Sequence, residues 1–250
     1  MARPGVLHRR YVAHFDMLGF KSATLRNSSL AWNALRNLRL CMDRMPTYTL
    51  QHMKPKRVIS RRLETRIFSD TILVFTLGDE DDDLTAMLLL TSQLFSDALA
   101  RCIPLRGGIS HGDFFVDSDL QLYCGVPFVK AYELGERAQW YGITLDQIVA
   151  ERFLSHPGGP LTTGKNIPTI IQWNVPLKVG GSRTSWVVNW PVIFREGFSK
   201  HPPLSVEEYY EPFELFLGPY RSLASDAKAK HENTAAFINA QFDALSHAQA

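Results

Sequence analysis

The chain has 250 residues, 45% hydrophobic and 21% charged, with a formal net charge of +2; this supports an ordinary packed core and excludes nucleic-acid binding driven by bulk charge. Cys41, Cys102 and Cys124 form no C-x-x-C pair, which argues against a structural zinc site or a disulfide framework. The N-terminus lacks the apolar stretch of a secretory signal, and the longest apolar run, Ala86 to Leu90, is far too short to cross a bilayer, so a soluble cytoplasmic protein with no membrane partner is expected.

In chain order, Tyr11 to Asp16 reads as a strand ending in an acidic residue, with Gly19 at a following turn. Ser28 or Ser29 is placed to cap a helix to about Met45, ended by Pro46 and followed by a loop over Thr47 to Pro55. Arg57 to Phe68 and Ile72 to Leu77 are β-rich runs around the polar break Ser69-Asp70-Thr71, which suits a hairpin. The acidic run Asp79 to Asp83 complements the N-terminal dipole of a buried helix over Leu84 to Ala100. Pro104 to Val116 suggests a strand pair around Gly107-Gly108, and Val126 to Trp140 a helix opened by the Gly125 turn. Ile167 to Leu177 and Thr184 to Trp190 read as strands joined at Gly180-Gly181. Pro202 to Pro219 is partly helical, and Ser225 to Ala248 is a terminal helix. The order β-α-β-β-α-β-β-α predicts an α+β fold: a ferredoxin-like palm, with an antiparallel or mixed sheet, helices on one face, and a C-terminal helical extension. One domain is expected over 1–250, with its core at about 10–195 and the extension at about 203–248.

Two carboxylates carry the chemical signal. Asp16 lies in Phe15-Asp16-Met17-Leu18-Gly19-Phe20 and Asp70 in Phe68-Ser69-Asp70-Thr71; each follows a β-rich run and is flanked by apolar side chains. A carboxylate buried beside Phe15 or Phe68 is costly unless paired. A cation shared by both aspartates removes that cost if the first strand lies beside the hairpin. Oxygen ligands suit magnesium or manganese, and two such ions about 3.5–4 Å apart clamp the attacking and leaving oxygens of a phosphoryl displacement. Turn aspartates that cap backbone amides are the plain alternative. His111 and Asp113 share a strand face and read as sheet-surface residues. Lys130 and Arg137 read as helix-surface charge, and Trp173, Trp186 and Trp190 as core or dimer contacts. The chain has no P-loop, G-x-S-x-G or H-E-x-x-H motif.

Four segments taken in order resemble the class III nucleotidyl cyclases over roughly residues 10 to 145. Phe15-Asp16-Met17-Leu18-Gly19-Phe20 is similar to their F-x-D-I-x-G-F signature, one residue shorter before the aspartate and with Met17 in place of isoleucine. Phe68-Ser69-Asp70 stands where they carry glycine-aspartate, and Arg106-Gly107-Gly108-Ile109-Ser110-His111-Gly112 is similar to R-x-G-I-x-x-G. Gly125 opens the helix that bears G-x-x-V-N-x-A-x-R in that family. The resemblance implies that Asp16, Asp70 and the Met17 carbonyl ligate two Mn2+ or Mg2+ ions per site. It places Phe15, Leu18, Gly19 and Phe20 around a triphosphate, and Lys178 or Arg183 at the terminal phosphates. Arg66 stands where purine cyclases read the base with lysine, and Leu122 where they carry its polar partner. Val129 and Glu133 replace the family's asparagine and transition-state arginine, leaving Arg106, Lys130 or Arg137 as substitutes. This combination resembles the Pycsar pyrimidine cyclases. It implies a homodimer with shared sites that converts UTP, ahead of CTP, to a cyclic monophosphate acting on a separate effector in anti-phage defence. The same residues also allow a cytidylate cyclase, another nucleotidyltransferase or phosphohydrolase on a palm-like fold, or an inactive nucleotide-binding signalling domain.

Overall fold

The computed structural model describes residues 6–52, 62–155, 168–193 and 203–247, and of these the side chains outside 44–52 and 245–247. β1 (Val6–Met17) alternates as a strand buried on both faces: Tyr11, Ala13, Phe15 and Met17 enter the main core, while Val12 joins a smaller cluster on the other side. α1 (Phe20–Arg26) follows directly, with Gly19 at φ +75° before it. α2 (Ser28–His52) is capped not by Ser28 or Ser29 but by Asn27, whose Oδ1 accepts from the Leu30 amide at 3.0 Å. Its helical backbone continues across Pro46, where the sequence suggested a stop.

β2 (Leu63–Phe68) and β3 (Thr71–Thr76) form the expected hairpin; Arg57 to Arg61 lie outside the described residues. α3 (Asp81–Leu99) starts with a capping box in which Glu80 and Asp83 satisfy each other's backbone amides, so the acidic run does serve a helix start. Pro104 to Val116 is not a strand pair. It is one long strand, β4 (Leu105–Asp117), and β5 (Leu122–Gly125) turns back onto its far half. Neither Gly107 nor Gly108 has a positive φ. Close neighbours keep both small: a Cβ on Gly107 would stand 2.3 Å from the His14 carbonyl oxygen of β1, and one on Gly108 would stand 2.5 Å from the Ala131 carbonyl oxygen of α4 (Val126–Arg137), while a Cβ on Gly135 of that helix would stand 3.0 Å from the Gly107 Cα.

β6 (Ile143–Leu145) runs parallel to β4, and α5 (Gln147–Leu154) follows it. β7 (Ile170–Pro176) and β8 (Ser182–Val188) pair across the glycine turn, where Gly180 and Gly181 both have positive φ. α6 (Trp190–Ile193), α7 (Val206–Tyr210), α8 (Glu214–Leu217) and α9 (Ser225–His247) complete the chain. The sheet order is β2-β3-β1-β4-β6-β8-β7, mixed because β4 and β6 are parallel. The α+β architecture and C-terminal helix are as read from sequence. The helices divide unequally, however. α3, α5 and α9 contribute to the core on the Phe15 face, whereas α4 covers the face of Val12 and His14, with Phe128 and Tyr132 packed edge-on to His14. Among the described residues no helix is long and apolar enough to cross a membrane.

α9 docks through aromatic contacts. Phe237 meets Trp140 at 4.8 Å and Trp173 at 5.0 Å, and Trp190 meets Phe95 at 5.0 Å, so Trp173 and Trp190 are core contacts. His231, also on α9, is fully buried and shares a 2.6 Å hydrogen bond with the Tyr141 hydroxyl. Burial, then the Lys230 charge, push its pKa down to about 3. As pH falls below the ordinary histidine value of about 6.5, the unfolded chain therefore takes up a proton that the folded chain refuses. Stability should fall by up to about 1.4 kcal/mol per pH unit on this account, from that pH down toward the folded value. Denaturant midpoints across this window should show a shallower slope in His231→Phe, and an unchanged slope would remove His231 as the cause.

Candidate active site

The two sequence-predicted aspartates come together. Strands β1 and β3 pair with Asp16 opposite Thr71, and the Met17 amide donates to the Asp70 carbonyl at 2.8 Å. The hairpin turn is thus tied by backbone to the residue after Asp16. Ser69 in that turn has φ +55°, the left-handed region that favours glycine, which accounts for glycine at this position in the resembled signature. Alternation sends Phe15 and Met17 into the main core and Asp16 to the α4 side. The Phe15 side chain is fully buried and forms a floor for the strand.

Asp16 is one-third exposed at its side chain and is gripped by Arg106, its antiparallel partner on β4, at 3.2 Å. Burial lifts the Asp16 carboxyl above the ordinary carboxylate range; Arg106 pulls it down, and Asp70 and Glu136 push it up again. Arg106 itself is 2% exposed at its side chain. One guanidinium nitrogen donates to Asp16 and, at 2.6 Å, to Glu136 of α4; the other donates to the backbone carbonyls of Ala138 at 3.1 Å and Glu136 at 3.4 Å. Arg106 is therefore an internal brace for Asp16, and its fork is not turned toward solvent. Lys178, from the turn between β7 and β8, bonds to the other oxygen of Glu136. A chain of alternating charge, Asp16–Arg106–Glu136–Lys178, joins the acidic strand end to that turn. Glu136 carries no signature spacing in sequence; the one clue to it is the pair Gly108 and Gly135 that seats the end of α4 on β4.

Register puts Arg66 opposite Leu73, and Leu73 opposite His14. Arg66 therefore shares the α4-side face with Asp16, one row along and two strands over. Its Nε donates to the Tyr123 hydroxyl at 2.5 Å, its Nη2 to Glu64 at 2.6 Å and its Nη1 to the Thr65 carbonyl at 2.9 Å. Tyr123, which sequence reasoning missed, is the β5 residue beside Arg66. Leu122 alternates to the other side of β5 and is 61% exposed. Leu18, half-buried, donates its amide to the Pro104 carbonyl, Gly19 adopts its left-handed turn, and the Phe20 side chain is buried. The substitute cations on α4 are engaged: Arg137 with Glu133 at 2.7 Å and Lys130 with Asp146 at 3.4 Å. His111 is not a surface residue. Its ring is buried and bonds to Asp79 at 3.2 Å and to Arg152 at 3.0 Å, away from Asp113.

No protein-family model matches the chain, and no curated protein sequence matches it. Solved structures do. The catalytic core of a rhodopsin-guanylyl cyclase with converted specificity, in complex with ATPalphaS, is similar over 74% of this chain and 97% of that one, at 13% identity and a TM-score of 0.52. The chain shares the fold of that cyclase catalytic core. An adenylate/guanylate cyclase/hydrolase from Silicibacter pomeroyi matches 74% of this chain and 98% of its own at 15% identity and a TM-score of 0.47. A class III adenylyl cyclase-like ATP-binding protein from Pseudomonas aeruginosa matches 59% of this chain and 35% of its own, at 11% and 0.39.

Among the described residues no three His, Cys, Asp or Glu side chains gather as a complete metal cage. Two aspartates and a backbone carbonyl nevertheless suit a hard cation that takes its remaining ligands from water and phosphate. Burial and the neighbouring Asp70 and Glu136 charges raise the Asp16 carboxyl, a cost that a bound cation would offset. A carboxyl whose folded pKa lies above its unfolded value destabilises the fold at neutral pH, and stability is recovered as pH falls through the folded value. Asp16→Asn should therefore raise the melting temperature of the metal-free protein while Arg106 keeps Glu136 as its anion. It should also abolish any rise on adding Mn2+. A lower melting temperature in metal-free Asp16→Asn would show that Asp16 is a net stabilising partner of Arg106.

Proposed function

We propose that the protein is a divalent-metal-dependent nucleotide cyclase that converts a pyrimidine nucleoside triphosphate, UTP ahead of CTP, to the 3′,5′-cyclic monophosphate and pyrophosphate. The observation that carries this reading is the meeting of Asp16 and Asp70 at adjoining strand ends of a sheet with the cyclase fold. In the reaction the ribose 3′-oxygen bonds to the α-phosphorus, the bond to the bridging oxygen of pyrophosphate breaks, and the 3′-hydroxyl proton leaves to solvent. Asp16 and Asp70, with the Met17 carbonyl, would hold Mn2+ or Mg2+, which lowers the pKa of the attacking hydroxyl and offsets phosphate charge. The backbone from Leu18 to Phe20 follows Asp16 directly; the first-turn amides of α1 have no intrahelical acceptor and suit phosphate oxygens. Lys178 stands one carboxylate away from Arg106 and is the cation for the terminal phosphates.

Arg66 supports a pyrimidine. A planar guanidinium fork matches a carbonyl-bearing base edge, and Tyr123 beneath it adds an aromatic face 5.4 Å from its centre. Base reading then requires the fork to exchange Glu64 for the base. Phe68, Val126, Val129 and Tyr132 are exposed large apolar side chains at 84%, 64%, 52% and 46%, on the face and helix that flank Asp16 and Arg66. They suit contact with a second copy, so that each of two symmetric sites takes groups from both chains. A product acting on a separate effector in anti-phage defence rests on the resemblance to the Pycsar cyclases.

A second reading follows from one feature. Glu133 and Val129 stand where a transition-state arginine and asparagine would be, and Arg137 is bound to Glu133. That arrangement favours a domain that binds nucleotide without turnover. Incubation with each of the four ribonucleoside triphosphates and Mn2+, read by product mass, separates the two. The cyclase gives cyclic UMP and pyrophosphate, and loses it by more than about a hundredfold in Asp16→Ala or Asp70→Ala. Binding of UTP with no product, or wild-type rates in either variant, would end the catalytic reading. Arg66→Ala should flatten the preference among the four nucleotides more than it raises KM for UTP; an unaltered preference takes Arg66 out of the base pocket.

A further inference from the structure

Arg106 places a buried positive charge in contact with two carboxylates that have different duties. Its guanidinium is 2% exposed, so it requires an anionic partner at all times. The partner nearer to it is Glu136 at 2.6 Å, and the farther is Asp16 at 3.2 Å. The second guanidinium nitrogen is fixed by the carbonyls at the end of α4, so the group cannot swing away from either carboxylate. Asp16 has Asp70 beside it, whereas Glu136 has Lys178 on its other oxygen. We infer that Glu136 is a positioning residue for the candidate cation site: by satisfying Arg106 it releases the Asp16 carboxylate to a divalent cation, and Lys178 tunes how strongly it does so. The inference rests on the reading of Asp16 and Asp70 as cation ligands and adds to it the residue that sets their affinity.

The consequence has a sign. Without the Glu136 charge, Asp16 is the one carboxylate left on Arg106, and a cation must break that pair in order to bind. The negative potential at Asp16 falls as well, so both effects weaken binding. Removing Lys178 acts oppositely: Glu136 turns wholly to Arg106 and the local potential becomes more negative. A glutamate that merely braced α4 would change stability and leave cation affinity alone.

The test is calorimetric titration of the nucleotide-free protein with MnCl2, with thermal melts to show that each variant is folded. Glu136→Gln should bind Mn2+ about tenfold more weakly than wild type, as expected when a group that orients a ligand is lost. Lys178→Gln should bind it a few-fold more tightly. Lys178 lies at the surface, and its loss leaves Arg106 both of its carboxylates, so this variant stands even if Glu136→Gln fails to fold. Wild-type uptake with unchanged or tighter binding in Glu136→Gln, or weaker binding in Lys178→Gln, overturns the role of Glu136 while the cation site survives. No uptake by wild type overturns the cation site itself, and this inference with it.

Discussion

A guanidinium sealed inside a protein dictates much of what surrounds it, because the charge cannot be left uncompensated. Arg106 holds that position here. It sits where β4 crosses beside β1 and beneath the end of α4, and its donors reach one strand, one helix side chain and two helix-terminal carbonyls. The last turn of a helix presents its unpaired carbonyls and the negative end of its dipole, a favourable setting for a cation. Arg106 therefore caps α4 from outside the helix and fastens it to the strand that carries Asp16. That approach depends on two positions that lack side chains: a Cβ on Gly108 would strike Ala131 and Leu134 of α4, and one on Gly135 would strike the Gly107 backbone of β4. The glycines are thus part of the electrostatic design, since they set the distance at which Glu136 and the α4 carbonyls reach the arginine.

Asp16 occupies the costly end of this arrangement. Its strand neighbours Phe15 and Met17 are buried, its hairpin neighbour is another aspartate, and its carboxyl is lifted above the ordinary range despite Arg106. The left-handed Ser69 adds a local backbone cost at the same turn. Strain of this kind persists where the surrounding structure over-determines it, and here the surroundings are a seven-strand path whose core is filled from the other face by α3, α5 and α9.

Much of this was legible in the sequence where a local rule decided the outcome. The β1 end, the Ser69-Asp70 hairpin, the acidic start of α3, the Gly180-Gly181 turn and the terminal helix all follow from patterns a few residues long. Failures occurred where the deciding neighbour is distant. Gly107-Gly108 looked like a turn, yet both lie within β4; Gly107 is small for the sake of His14 and Phe15, and Gly108 for Ala131 and Leu134. Arg106 looked like a free catalytic cation because sequence does not show that Glu136, thirty residues on, encloses it. Leu122 looked like a base contact, but strand parity gives that face to Tyr123. His111 looked exposed, while Asp79 and Arg152 bury it.

The replacement of an arginine by Glu133 bears on how charge is distributed across the site. An acidic residue at that point of α4 would repel a triphosphate, and Arg137 pairs with it from one turn away. In the proposed reading, positive potential near the phosphates would come from elsewhere, and among the described residues Lys178 is an outer cation linked to the Asp16 network. Because Lys178 bonds to Glu136, a phosphate drawing on Lys178 would loosen its hold on that carboxylate, strengthen Glu136 on Arg106 and in turn free Asp16. Nucleotide and cation would thereby favour each other through four side chains, with no movement of the backbone required. Coupling of this kind is reciprocal by thermodynamic necessity. It places the chemistry that α4 lacks in the turn between β7 and β8, a segment the sequence marks only by two glycines and a lysine.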